Sequence, residues 1–207
     1  ERMSGEVGRI GRFVDAVRAD GMRDVLLLGM GGSSLAPEVF RKVLGLREGF
    51  LDLHVLDSTD PAAVLDAAER LDPARTLVVV PTKSGSTIET LSFMKFFWNR
   101  FVASLGVAKA ASHFVAITDP GSALEATAKK LGFRHVFAGD PEIGGRYSAL
   151  SLFGLVPAAL IGADIGRLLD FALEAVANCE ACNRPKNGDN AGARLGAWIG
   201  ALAREGC

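Results

Sequence analysis

Apolar residues along the chain gather into five short runs, at 24–29, 53–57, 76–81, 113–118 and 135–138. Each is rich in Val, Leu, Ile or Phe, and the first four lack alternation with period two. Strands covered by helices on both faces have that continuous apolar character. Between the runs, residues 35–44, 61–71, 87–105 and 122–131 carry apolar side chains at about helical spacing. Start signals precede two of them: Ser58, Thr59 and Asp60 before Pro61, and Asp119-Pro120-Gly121-Ser122 before the fourth. A helix over 9–19 comes first. After the last run the chain reads as helical over 148–161, 165–177 and 191–204, with a polar loop over 183–190. Strand alternating with helix predicts βαβ units. The expected fold is therefore α/β: a doubly wound, parallel, five-stranded sheet in three layers with extra C-terminal helices, as one domain over 1–207.

Composition narrows the function. Of the 207 residues 49% are hydrophobic, enough for a sizeable core. The net charge is −1 with both signs interspersed, and no basic stripe argues for nucleic acid. No apolar run reaches the ~18 residues that span a bilayer. Three cysteines give no disulfide framework, which fits a reducing cytoplasm. The chain starts at Glu1 inside a helical pattern and stops just past Gly206, so it reads as part of a longer polypeptide.

In doubly wound sheets ligands sit beyond the carboxyl ends of the strands. The loops expected there are 29–34, 57–60, 82–87, 118–121 and 139–148. The segment Gly29-Met30-Gly31-Gly32-Ser33-Ser34 closes the first strand and opens a helix. Its glycines let N–H groups approach an anion, and Ser33 and Ser34 add hydroxyls. A dinucleotide fingerprint is the rival, with Asp57 near the place of its ribose-binding acid, but Ser34 stands where the third glycine belongs. A tight turn without ligand is the third possibility. Pro81-Thr82-Lys83-Ser84-Gly85-Ser86-Thr87-Ile88-Glu89-Thr90 is stronger: Thr82, Ser84, Ser86 and Thr87 place four hydroxyls within six residues, with a lysine among them. Gly85 permits close backbone approach or positive φ. Helix capping by Ser86 or Thr87 explains one hydroxyl, not four. Downstream, Ile143-Gly144-Gly145-Arg146-Tyr147-Ser148 delivers an arginine from a Gly-Gly turn.

The run Thr82-Lys83-Ser84-Gly85-Ser86-Thr87-Ile88-Glu89-Thr90 resembles the signature of sugar isomerase (SIS) domains. With Lys83, Gly31-Gly32-Ser33 and Gly144-Gly145-Arg146-Tyr147-Ser148, the chain resembles the first SIS domain of glucose-6-phosphate isomerases over essentially its whole length. Gly85 and Ser34, with the run Leu28-Gly29-Met30-Gly31-Gly32-Ser33-Ser34-Leu35-Ala36-Pro37, look most like the isomerase part of bifunctional transaldolase/glucose-6-phosphate isomerases. The resemblance implies an SIS-type sheet of flavodoxin-like strand order. It implies that Ser33, Thr82, Lys83, Ser84 and Thr87 hold the substrate phosphate. Gly31, Gly32, Gly85, Ser86 and Gly145 would shape the supporting loops, and Arg146 would be catalytic beside C1–C2 of the sugar. It implies a sugar-phosphate partner, no cofactor and no metal, a cytoplasmic role in glycolysis and gluconeogenesis, and a homo-oligomer. A second SIS domain and a transaldolase domain are expected in the same chain.

The isomerase's general base and ring-opening histidine lie, by the same resemblance, in segments absent from these 207 residues, so the chain alone is expected to be inactive. His54, His113 and His135 fall at or inside strand starts, the wrong end of the sheet, and read as structural. Glu89 reads as a capping or paired residue. Cys179-Glu180-Ala181-Cys182 ends a helix and reads as incidental, and Phe93, Phe96, Phe97, Trp98 and Phe101 read as a core or dimer-contact stripe. Two other functions compete: a non-catalytic sugar-phosphate-sensing SIS module, which needs no Arg146, and a nucleotide-binding domain.

Overall fold

The computed structural model describes residues 2–180 and 190–206. The chain divides into two compact units, Glu1–Ile165 and Gly166–Cys207. The first holds five strands: β1 (Asp24–Leu28), β2 (Asp52–Leu56), β3 (Thr76–Pro81), β4 (Phe114–Thr118) and β5 (His135–Ala138). All pair in parallel, in the order β2-β1-β3-β4-β5. The expected sheet and its order are present. β3 and β4 are buried at every position, which is why their sequences show no alternation.

Helices α1 (Val7–Ala19), α2 (Gly32–Leu44), α3 (Pro61–Arg70), α4 (Ile88–Leu105), α5 (Val107–Ala111), α6 (Ala123–Leu131) and α7 (Leu152–Leu160) build the outer layers. Leu26, Val78, Phe114 and Ala116 point to one face and share a core with Phe93 and Phe97 of α4 and Leu124 of α6. The phenylalanine stripe is thus largely core: Phe93, Phe97 and Phe101 are buried, and the Trp98 ring lies 5.3 Å from that of Phe114. On the opposite face α7 packs on α1 and α2, and Phe13 of α1 meets Phe137 of β5 edge-on at 5.1 Å. Every residue of α7 is buried.

Two local readings change. Residues 148–161 are not one helix. Gly145–Leu150 forms a 3-10 turn, Ser151 is extended, and α7 starts anew. The cause is hydroxyl competition with the helix ladder: Ser148 Oγ donates to the Gly145 carbonyl at 2.6 Å, and Ser151 Oγ to the Ser148 carbonyl at 2.7 Å. The short α5 was not expected. It follows Gly106, whose φ of +80° ends α4.

In the second unit lie most of α8 (Ile165–Glu180) and α9 (Ala191–Arg204). Asn190 caps α9 by accepting from Ala193 N at 2.7 Å, and Asn178 Oδ1 accepts from Ala191 N at 3.0 Å. Asn190 apart, the polar loop read at 183–190 lies outside the described residues, as does Cys182. Cys179 is exposed with a free thiol. Among the described residues no helix is long and apolar enough to cross a membrane.

Candidate active site

Strand order reverses between β1 and β3. From β1 the chain crosses through α2 on one face, and from β3 through α4 on the other. The loops leaving these adjacent strands therefore diverge and leave a crevice at their carboxyl ends. A cleft of about 290 Å³ lies there, lined by Met30, Gly32, Ser33, Pro81, Thr82, Lys83, Ser84, Thr87, Thr90 and Gly145.

Helix starts decide what the cleft can hold. The first turn of any helix leaves N–H groups without an intrahelical acceptor. Of the helices that follow a strand directly, α3 and α6 are closed by side chains: Asp60 accepts from Ala62 and Ala63, and Ser122 from Glu125. The two that open on the cleft, α2 and α4, have no side-chain cap. Thr87 occupies the cap position of α4, yet its Oγ1 lies 3.1 Å from Thr82 Oγ1 and accepts nothing from the helix. Capping therefore does not account for the loop's hydroxyls. In α2 the Ser33 and Ser34 N–H groups donate to the Met30 and Gly31 carbonyls at 3.2 and 3.1 Å, so this start offers mainly its dipole and the Ser33 hydroxyl. Two helix starts without side-chain caps thus converge on one polar crevice, an arrangement suited to an anion.

Glycines set the walls. Gly31 has φ +54°. A Cβ on Gly32 would fall 2.3 Å from the Gly145 carbonyl oxygen, so the Gly-Gly-Arg turn rests directly on the start of α2. A Cβ on Gly154 of α7 would lie 2.0 Å from the Ala149 oxygen. The 3-10 turn is thus held between two side-chain-free surfaces. Gly154→Ala is expected to lower the thermal midpoint by roughly 3–10 °C, the shift for a clash costing ~1–3 kcal/mol in a chain of this size. Calorimetry checks it, and an unchanged midpoint would contradict the packing. Gly85 meets both expectations: φ is +67°, and a Cβ would stand 2.8 Å from Ser122 Cβ.

Lys83 lines the cleft, but its ammonium is engaged elsewhere. Nζ donates to Asp119 Oδ1 at 2.9 Å and to the Asp140 carbonyl at 2.6 Å. The Lys83 carbonyl in turn accepts from Asp119 N at 3.2 Å. These contacts bolt the β3–α4 loop to the loops after β4 and β5, and Asp119 balances the lysine's charge. Ser84 lines the cleft, whereas Ser86 lies outside it and donates to Ser84 Oγ at 2.9 Å. Ser34, read as a second donor beside Ser33, is fully buried and donates to the Gly31 carbonyl at 3.0 Å. It serves the turn.

Arg146 stands beside the cleft. Gly145 lines it, while the exposed Arg146 guanidinium lies 5.5 Å from the Tyr147 ring centre. The histidines are all elsewhere. His113 is buried, and its Nδ1 donates to the Thr76 carbonyl at 2.9 Å. Burial holds its pKa below the ordinary imidazole value, against the opposing pull of that carbonyl. Burial also lowers His135, with the Arg9 charge adding to the effect. His54 pairs with Asp24 at 3.0 Å. Glu89 lies in the first turn of α4, where a carboxylate suits the helix dipole. Sequence reasoning passed over Asp119, Asp140, Met30 and Thr90. For Asp119 a signal existed, since it directly follows β4 at the carboxyl end.

The chain is similar to known proteins. The family model described as phosphoglucose isomerase matches residues 6–178. A glucose-6-phosphate isomerase of Thermus thermophilus is 40% identical over 149 residues, 72% of this chain and 35% of that protein. One from Cyanothece is 40% identical over 70% of this chain and 28% of that protein. Among solved structures, a hypothetical protein from Thermus thermophilus aligns over 86% of this chain and 43% of its own, with a TM-score of 0.73 and 35% identity. A glucose-6-phosphate isomerase from Chlamydia trachomatis aligns over 84% and 32%, with a TM-score of 0.72 and 28% identity. The chain spans about a third of the length of the curated relatives it matches.

Proposed function

The chain belongs to the phosphoglucose isomerase family, and we propose that its cleft holds the phosphate of glucose 6-phosphate and fructose 6-phosphate during their interconversion. The observation that carries this is the pair of uncapped helix starts facing Ser33, Thr82, Ser84 and Thr87 across one crevice. Lys83, paired with Asp119, contributes backbone and loop rigidity more than free charge.

Aldose–ketose isomerisation moves a proton from C2 to C1 and shifts two electrons within the substrate, so no external oxidant is required. Negative charge develops on an enediol oxygen as the C2 proton leaves. In this reading the phosphate is anchored in the cleft and the sugar runs toward the Gly145–Leu150 turn. Arg146 then supplies its guanidinium where the charge forms. A guanidinium at that place favours an isomerase over the sugar-phosphate sensor, which needs no enediol stabiliser. The relatives' names agree.

The same reading extends to a second SIS domain and a transaldolase domain in one polypeptide, to a homo-oligomer, and to a cytoplasmic glycolytic and gluconeogenic role. The run at 28–37 and the cysteine usage support the fusion and the compartment respectively.

Crystals soaked in sulfate, and then in fructose 6-phosphate, test the anion site. The anion is expected between Ser33 and residues 82–87. An anion seated elsewhere, with this cleft empty, would overturn the reading. Binding of NAD in preference to fructose 6-phosphate would restore the nucleotide alternative.

A further inference from the structure

Thr90, the third residue of α4, lines the cleft and is fully buried. Its Oγ1 is, among the described residues, the one buried side-chain oxygen or nitrogen without a hydrogen-bond partner. That is a costly arrangement for a hydroxyl. A Ser or Thr further inside a helix often satisfies its hydroxyl by turning it back to the helical carbonyl four residues earlier. Two of the described residues do so. Ser92, two residues further along α4, donates to the Ile88 carbonyl at 2.7 Å, and Thr127 of α6 to the Ala123 carbonyl at 2.8 Å. Thr90 makes no such bond: the carbonyl four residues back belongs to Ser86, which precedes the cap residue Thr87 and lies outside the helix. The residue lies in the wall of a crevice that already carries the hydroxyls of Ser33, Thr82, Ser84 and Thr87.

Resting on the reading of the cleft as a phosphate site, we propose that Thr90 is a further phosphate-binding residue, whose hydroxyl is satisfied only when the cleft is occupied. In the unliganded chain Oγ1 is closed off from solvent. The ligand reaches it by a turn about χ1, for which helical threonine has two accessible wells. The hydroxyl then donates to a phosphate oxygen. Thr90 joins Ser33, Thr82, Ser84 and Thr87 as a fifth hydroxyl and forms the floor between the two loops. The residue type follows from this role. Valine would fill the same volume and leave no orphan, so a buried threonine here trades stability of the empty fold for affinity.

The trade gives a test with two readouts of opposite sign. Thr90→Val removes the hydroxyl and keeps the shape. It is expected to weaken binding of both inorganic phosphate and fructose 6-phosphate by about 10- to 100-fold, the range for one hydrogen bond to a charged group. It is also expected to raise the midpoint of the ligand-free chain by roughly 2–4 °C. Thr90→Ser is expected to keep binding within a few-fold of the parent. Calorimetric titration and thermal denaturation measure these. Unchanged affinity in Thr90→Val would overturn the proposal. So would a lowered midpoint, which would mean that the hydroxyl has a partner in the empty fold. A loss confined to fructose 6-phosphate would move the contact from phosphate to sugar and overturn the assignment. If the parent chain binds neither probe, the phosphate reading of the cleft fails first and this inference falls with it. That result is distinct from equal binding by parent and variant.

Discussion

Replacing Arg146 by alanine, in a full-length isomerase containing this chain, is expected to lower kcat by about 100- to 1000-fold while KM moves only a few-fold. The asymmetry follows from where the residue stands. The cleft proposed to hold the phosphate is lined by Gly145 and by the loops after β1 and β3, not by the Arg146 side chain. Ground-state anchoring therefore survives the substitution. What is lost is a cation on a turn whose backbone is fixed by the Gly32 and Gly154 contacts and by Ser148. Such a turn carries the exposed side chain on a backbone that needs no further ordering during reaction. Arg146→Lys is expected to recover only part of the rate, because an ammonium keeps the charge but not the planar fork. Initial rates with fructose 6-phosphate, coupled to glucose-6-phosphate dehydrogenase, separate the two parameters. A raised KM with unchanged kcat would make Arg146 a substrate anchor instead of a charge stabiliser.

The sheet was legible because burial on both faces leaves a plain mark. β3 and β5 match their apolar runs to the residue, and β1, β2 and β4 differ by a residue or so at their ends. Helices with chemical punctuation were equally clear: Asp60-Pro61 and Ser122 are the caps they were read to be. The part that could not be read was tertiary. Lys83 looked like a free cation in a hydroxyl-rich loop, but its partners Asp119 and Asp140 lie 36 and 57 residues away along the chain, where no local spacing rule reaches. Thr90 sits three residues past Thr87, and local spacing gives it no role. Only its burial and its missing partner single it out. The break at Ser151 depends on hydroxyls turning back onto their own carbonyls, and helical periodicity does not register that competition. Ser33, Thr82, Lys83, Ser84 and Thr87 do come together on one cleft, because parallel β1 and β3 are neighbours and place both loops at the same end of the sheet.

The 207-residue chain by itself is expected to bind fructose 6-phosphate and not to isomerise it. Binding needs the crevice, its hydroxyls and the two helix starts without side-chain caps, and all of these lie within residues 30–90 apart from Gly145. Turnover needs more: a base to take the C2 proton and return it to C1, and a group to open the sugar ring. Among the described residues lining the cleft none is a carboxylate or a histidine. His54 is held by Asp24, and His113, just before β4, by the Thr76 carbonyl at the start of β3. A positioned acid or base contributes ~100- to 10,000-fold. Lacking both functions, the chain should turn over at least about 1000-fold below the ~10 per second of an ordinary enzyme. The measurement is glucose 6-phosphate formation from fructose 6-phosphate by purified chain, coupled to its dehydrogenase, beside a calorimetric titration of the same preparation. Turnover near the ordinary rate would mean that a carboxylate of this chain reaches C2. The acids to replace first would then be Glu89 in the first turn of α4, Asp57 just past β2, and Glu142, whose backbone N–H is fixed by Asp140 Oδ1 at 3.0 Å.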